Sequence, residues 1–425
     1  MVGLAADHGM MTDPVSFRDH EGMGISSGRR GSGRRASRPR RVLLLTDSYR
    51  PTVNGVVTSI DELRQGLLDA GHDVRVLTVG PVRRTTFDGS VYRLPSLDAG
   101  SIYPQARLGR PVDSATFADL VAWRPDVLHS HTEFVAFWWA RRLAHRLRAP
   151  HVHTYHTVYA DYTHYFFPHR GTGRALCASS ARRTLNRTTT VIAPSVKIEH
   201  LLRGYGVRVP IAVVPTGVDL TRFAPAPPSQ TLRDSLGLTP GIPVILSLGR
   251  LGAEKNVAEI IDLLARVRDE PWQLVVAGHG PQARTLRRQV ERLGMTDRVR
   301  FVGAVDPAQV PDYYRLADVF VSASRSETQG LTVLEALASG VPVLCRDDAS
   351  LDGIVHDGRN GRRYREPEEF TRAITWLVRD PTLRRRWGHE AVQTASAFGR
   401  AAFVDAVCAT YDRARGSVGT ARWAA

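Results

Sequence analysis

Short, wholly apolar runs, each closed by a turn and followed by a longer amphipathic stretch, recur along this chain of 425 residues. The first run, RVLLLT from Arg41, has the texture of a strand buried on both faces of a parallel sheet. The turn DSYRPTVNGV follows, and then Val56, Ile60, Leu63, Leu67 and Leu68 fall on one stripe at helical spacing. Gly71 ends that helix, and DVRVLTV is the next strand. PDVLHSH, PHVHTYH and TTVIAPS read as further strands, separated by helices such as 134–147. Strand and helix in strict alternation predict a doubly wound parallel sheet.

Residues 222–242 break the pattern with proline and polar groups, and read as a linker with one short helix. A second alternating series follows: PVILSLGR, WQLVVAGHG, VRFVGAV, DVFVSAS and VPVLCR. Val257, Ile260, Ile261, Leu264 and Val267 predict a helix over 254–267 between the first two. The chain is therefore expected to be α/β, with two similar Rossmann-like domains, 41–221 and 243–399, facing a cleft. A last helix, about 400–414, crosses back to the first domain. Ligands in such sheets bind outside the carboxyl ends of the strands and between domains.

Composition narrows the setting. At 43% apolar and 23% charged the chain is ordinary for a globular protein. No apolar run is long enough to span a bilayer, and the N-terminus lacks the apolar stretch of a signal peptide. Three distant cysteines, Cys177, Cys345 and Cys408, offer neither a disulfide framework nor a zinc site, which fits a reducing cytoplasm. Net charge is +15, nearly all from arginine; Lys197 and Lys255 are the only lysines. Most of the surplus falls in the first half, which suits an anionic leaflet, although solvated arginine-rich faces explain it equally well. Residues 1–40, ending GRRGSGRRASRPRR, read as a disordered basic leader.

Three strand-to-helix turns carry the chemistry. Asn54-Gly55 permits close backbone approach at a helix N-terminus, an anion site that is weak taken alone. In LGRLGAEKN, Arg250 and Lys255 place two cations at a strand end, where a diphosphate gains charge as its bond to a sugar breaks. In SRSETQGLTVLEALASGVPV, Gly330 opens a helix, and Glu327 and Glu335 lie two turns apart, within reach of one extended ligand. Carboxylates accept well from sugar and ribose hydroxyls, though acidic helix caps are common for structural reasons alone.

The array GR-x(4)-KN, AGHGP, FVG and YYRLADVFVSASRSETQGLTVLEALASGVPV resembles the retaining glycosyltransferases of family four, which have the GT-B fold. The likeness runs from about Arg41 to the last helix. It implies that Glu327 contacts the donor sugar and Glu335 the ribose. It also implies that Arg250 and Lys255 hold the diphosphate and that the backbone N–H groups of Gly330, Leu331 and Thr332 complete the phosphate cradle. Gly55 matches the family's N-domain glycine turn, Gly278 and Gly280 keep its AGHGP backbone, and His131 matches its catalytic-centre histidine. His279 departs from the acidic or small polar residue more usual there. No second carboxylate stands out as a nucleophile for double displacement. The expected course is front-face transfer, in which the leaving phosphate accepts the acceptor's proton. No cofactor and no metal are implied.

The acceptor segments are HSHTEF and HTYHTVYADYTHYF, the second dense in imidazole and aromatic groups. They resemble bacterial diacylglycerol glucosyltransferases and related lipid mannosyltransferases, which nominates His156, Tyr159 and Tyr162 for the acceptor. Aromatic and basic groups in FVAFWWARRLAHRLR suit a lipid surface, and equally an ordinary helix with an inward tryptophan. The expected partners are a nucleotide sugar, UDP-glucose before GDP-mannose, a lipid acceptor and the inner face of the plasma membrane. A dinucleotide oxidoreductase is disfavoured because no G-x-G-x-x-G follows RVLLLT. Nucleic-acid binding is disfavoured because the arginines are scattered. A non-catalytic sugar-nucleotide sensor remains compatible with every donor residue.

Overall fold

The computed structural model describes residues 39–98, 107–159 and 170–420. The expected leader lies outside them except for Pro39 and Arg40, as do Tyr162 and the rest of 160–169. Arg40 does not behave as leader: it is buried, and its guanidinium reaches Asp412 at 2.6 Å. The fold therefore begins before the apolar run, and the run does not mark Arg40 because its partner lies at the far end of the chain.

Among the described residues the first half holds nine strands. They are β1 (Arg41–Leu45), β2 (Asp73–Gly80), β3 (Thr86–Phe87), β4 (Val91–Asp98), β5 (Arg107–Gly109), β6 (Val127–Ser130), β7 (His151–Thr154), β8 (Thr190–Ala193) and β9 (Ile211–Val213). The sheet runs β3-β4-β2-β1-β6-β7-β8-β9, with β5 paired to β4. All pairings from β4 to β9 are parallel, while β3 and β5 add antiparallel edges. The unbroken apolar run in β1 now has its reason. Val42 and Leu44 enter one core with Ile60 and Leu63 of the helix Gly55–Asp69, and Leu43 and Leu45 enter another with Ala140 and Leu143 of the helix Val135–Leu147. A strand covered on both faces has no solvent side to mark with polar residues.

The second half holds β10 (Val244–Leu248), β11 (Gln273–Ala277), β12 (Val299–Gly303), β13 (Val319–Ser322), β14 (Val343–Arg346) and β15 (Gly361–Tyr364). These run β12-β11-β10-β13-β14-β15, all parallel. Each sheet therefore reverses its winding once, between β1 and β6 and between β10 and β13. Those reversals open crevices at the strands' carboxyl ends.

The helix expected over 254–267 is instead two pieces. A single 3-10 turn, Ala253–Lys255, is separated from the helix Val257–Ala265 by Asn256, whose φ of 51° lies in the left-handed region. Periodicity located the apolar face but not this break, which a single asparagine decides.

The last helix, Arg400–Thr420, lies on the first half. Val404, Val407 and Tyr411 join the core of Val42 and Ile60, and Arg400 pairs with Glu62 at 2.7 Å and Asp219 at 2.6 Å. Gly66 allows the approach, since a Cβ there would come within 2.4 Å of Val404 Cγ2. No described helix is long and apolar enough to cross a membrane.

Candidate active site

Five of the residues singled out in sequence lie on the connections that leave the strands beside the two reversals. Gly55 follows β1 and His131 follows β6; Arg250 and Lys255 follow β10, and Glu327 follows β13. The strands concerned are immediate neighbours in their sheets.

In the second half Lys255 Nζ meets Glu327 Oε1 at 2.5 Å. Arg250 Nη1 lies 4.0 Å from Glu254 Oε1, and the backbone oxygen of Glu254 accepts from the amide of Arg325 at 3.0 Å. That bond ties the Arg250–Lys255 turn to the loop bearing Glu327. The turn is also tight against its neighbour: a Cβ on Gly278 would stand 1.8 Å from the Gly249 oxygen, and one on Gly280 2.4 Å from the Leu251 oxygen. Two backbone turns in van der Waals contact admit only glycine there. His279 between them is exposed, and its backbone oxygen accepts from the Leu251 amide at 3.0 Å.

Gly330 caps the helix Leu331–Ala338 with a φ of 81°. That left-handed residue turns the chain so that the first amides of the helix, at Leu331 and Thr332, lack intrahelical partners, an arrangement suited to phosphate oxygens. Gly55 stands across from this helix start, where a Cβ would be 3.7 Å from Leu331 Cδ1. On the helix's second turn Glu335 Oε2 accepts from Tyr314 OH at 2.8 Å. Burial pushes the Glu335 carboxyl up to about 7, against the lowering effects of the Tyr314 bond and the Arg222 charge. Glu62, from the first half, adds to the rise.

On the other side of the cleft the histidines form a buried, neutral ladder. His131 Nδ1 lies 3.0 Å from His156 Nε2 with the rings stacked, and His131 Nε2 has no protein partner. Burial, and then the neighbouring imidazoles, hold His131 and His129 well below the usual histidine range and His156 at about 3. His129 bonds Tyr411 OH at 2.8 Å and Thr154 Oγ1 at 2.7 Å. A neutral imidazole with one open nitrogen can exchange a hydrogen bond with a sugar hydroxyl without carrying charge into the site.

Of the acceptor candidates, His156 at Nε2 and Tyr159 at its hydroxyl each have a polar atom engaged within the protein. His156 serves His131, and Tyr159 OH donates to Glu133 Oε2 at 2.8 Å. The residues that sequence reading passed over are Asp47, Glu133 and Lys197. Asp47 accepts from Thr132 Oγ1 at 2.6 Å and from the Ala136 amide at 3.1 Å, so from just past β1 it caps the helix Val135–Leu147, whose own N-cap residue, Phe134, supplies no side-chain cap. Its carboxyl is raised to about 6, chiefly by burial. Among these three only Lys197 carried a signal in the sequence, as one of two lysines. Among the described residues no group of three or more His, Cys, Asp or Glu side chains is placed to hold a metal.

Known proteins share this frame. Residues 53–222 match the family model described as Glycosyltransferase Family 4, and residues 228–394 match Glycosyl transferases group 1. The chain is 34% identical over 370 residues to an alpha-monoglucosyldiacylglycerol synthase of Streptococcus pneumoniae, covering 85% of this chain and 84% of that one. A GDP-mannose-dependent alpha-mannosyltransferase of Corynebacterium glutamicum is 29% identical over 76% of each chain. The Anabaena protein HepE, solved with UDP and glucose, superposes with a TM-score of 0.69 at 21% identity, covering 88% of this chain and all of that one.

Proposed function

This chain belongs to glycosyltransferase family 4, with the GT-B fold, and from that premise we propose that it transfers glucose from UDP-glucose to diacylglycerol with retention at the anomeric carbon. The observation that carries the acceptor is the 34% identity, over most of both chains, with a synthase of alpha-monoglucosyldiacylglycerol. The donor reading rests on the cationic turn at Arg250 and Lys255, the helix start at Gly330 and the two glutamates around them.

In this reading Arg250, Lys255 and the amides of Gly330, Leu331 and Thr332 hold the diphosphate and take up the charge it gains as the glycosidic bond breaks. Glu335 accepts from the ribose hydroxyls and Glu327 from the hexose. His131 Nε2 completes the hexose contacts from the opposite domain. The acceptor hydroxyl attacks on the face the phosphate is leaving. Its proton passes to a phosphate oxygen as the new C–O bond forms and the old one breaks. Front-face attack needs no protein nucleophile, and the protein contributes position and charge.

Peripheral attachment to an anionic leaflet completes the reading. Phe134 and Trp138 are more than half exposed on one helix face, and the guanidinium groups of Arg141 and Arg187 lie 5.9 and 5.8 Å from the Trp138 ring. Exposed aromatics beside cations suit an interface between lipid and water. The likeness to a GDP-mannose-dependent enzyme favours mannosyl transfer to a glycolipid as the second reading.

The test is a panel of radiolabelled nucleotide sugars offered with total lipid extract, the products separated by chromatography. Label from UDP-glucose in a lipid product, lost in Glu327→Ala, is expected. Label only from GDP-mannose installs the second reading, and binding without transfer by any donor leaves a sensor.

A further inference from the structure

Three consecutive residues of the loop between β13 and the helix Leu331–Ala338 are each held from the first domain. The backbone oxygen of Glu327 accepts from Lys197 Nζ at 3.0 Å. That of Thr328 accepts from Ser195 Oγ at 2.6 Å. The Gln329 side chain takes the Thr216 amide at 2.7 Å and returns a bond to the Thr216 oxygen at 2.8 Å. Lys197 is also anchored on Asp348, just past β14, at 2.7 and 2.8 Å from its two oxygens. Asp348 is itself fixed by the Ser350 amide at 2.8 Å.

We propose that Lys197, with Ser195 and Thr216, is a positioning device that places the Glu327 carboxylate from the opposite domain, so that the glutamate is set for the donor hexose only when the two halves are together. The inference rests on the reading of Glu327 as the hexose contact. Both lysines of an otherwise arginine-rich chain end on this one residue: Lys255 on its side chain, Lys197 on its main chain. A compact ammonium donates in three directions that are not coplanar, which a planar guanidinium does not do. Here those directions are a main-chain oxygen and the two oxygens of Asp348. Holding the main chain at 327, 328 and 329 fixes where the Glu327 side chain begins, while Lys255 fixes where it ends. The clamp's bonds end on 327, 328 and 329, short of the amides of Leu331 and Thr332, so its loss is expected to disturb hexose placement more than diphosphate binding.

The experiment compares wild type, Lys197→Met, Ser195→Ala and Glu327→Ala in the full chain. It reads kcat and KM for UDP-glucose, the Kd for UDP, and hydrogen exchange along 326–331. Lys197→Met keeps the length of the side chain and removes the ammonium. It is expected to lower kcat by ~10- to 100-fold, the scale on which a misplaced reacting group loses rate. The Kd for UDP stays within about twofold, and amides 326–331 exchange faster. Ser195→Ala, which removes a single hydroxyl, changes kcat in the same direction by a smaller factor and serves if Lys197→Met does not fold. Wild-type kcat in both folded variants overturns the proposal. So does a parallel loss of UDP affinity and kcat, which marks a merely structural contact. If Glu327→Ala itself transfers at the wild-type rate, the reading of Glu327 fails instead, whatever Lys197 does.

Discussion

Glu335 offers a quantitative test because its environment opposes its charge. Its carboxyl is raised from 4.5 to about 7, mainly by burial, although Tyr314 OH donates to it at 2.8 Å. At about 1.4 kcal/mol for each factor of ten in the ionisation constant, the ionised form costs the folded protein about 3 kcal/mol. The folded state holds this proton more tightly than the unfolded chain does. The stability contributed is therefore whole below about pH 4.5 and is lost as pH rises through 7. Glu335→Gln removes the charge and keeps an amide oxygen for Tyr314. Relative to wild type, the variant is expected to gain roughly 1 kcal/mol at pH 5 and about 3 kcal/mol at pH 8. Urea unfolding of the two proteins across that range measures the gap, and groups that titrate alike in both cancel from it. Without donor present, a gap that stays constant from pH 5 to pH 8 refutes the argument that burial governs this carboxyl. With donor at pH 8, where the wild-type carboxylate is charged, the same variant binds UDP-glucose more weakly by about tenfold or more, since a hydrogen bond to a charged acceptor is exchanged for one to a neutral acceptor.

Gly330→Ala forces a left-handed φ of 81° on alanine and brings its Cβ to 2.6 Å from Leu351 Cδ2, so transfer is lost and stability falls by about 1–3 kcal/mol; an active, equally stable variant contradicts this. Tyr411→Phe strips His129 Nδ1 of its 2.8 Å partner in a fully buried setting and is expected to cost ~1–3 kcal/mol in urea unfolding, with unchanged stability the contrary result. The protein is expected to pellet with anionic vesicles at low salt and to be released at high salt, and Phe134→Ser with Trp138→Ser to pellet less; indifference to lipid charge removes the leaflet from the account.

The two sheets were legible because most parallel strands covered on both faces are apolar at their centres, as VLLL of β1 and LVVA of β11 are, while β6 and β7 bury histidines that bond one another's neighbours. The turns after β10 and β13 stood out because glycines, two cations and two carboxylates gather beside those strand ends. Edge strands β3 and β5 left no such mark, being short, exposed and half polar. The break at Asn256 was equally hidden, since the apolar spacing of Val257 to Leu264 begins after it and carries no mark of the turn before it. Contacts made by tertiary approach were beyond reach for a different reason. The pairs Arg40–Asp412, His129–Tyr411 and Lys197–Asp348 join residues separated by 372, 282 and 151 positions, and no local pattern couples them. His156 and Tyr159 were noticed for their density, but density does not say where a polar atom points. One turns to His131 and the other to Glu133.

The most direct measurement is the structure of the lipid product. Purified protein given UDP-glucose and diacylglycerol in anionic vesicles should form a monoglucosyl lipid whose anomeric proton shows the small coupling of an α-linkage, matching the donor. A β-linked product, or no glucolipid under conditions where the protein binds UDP-glucose, contradicts front-face transfer from a donor held between Lys255, Glu327 and Glu335.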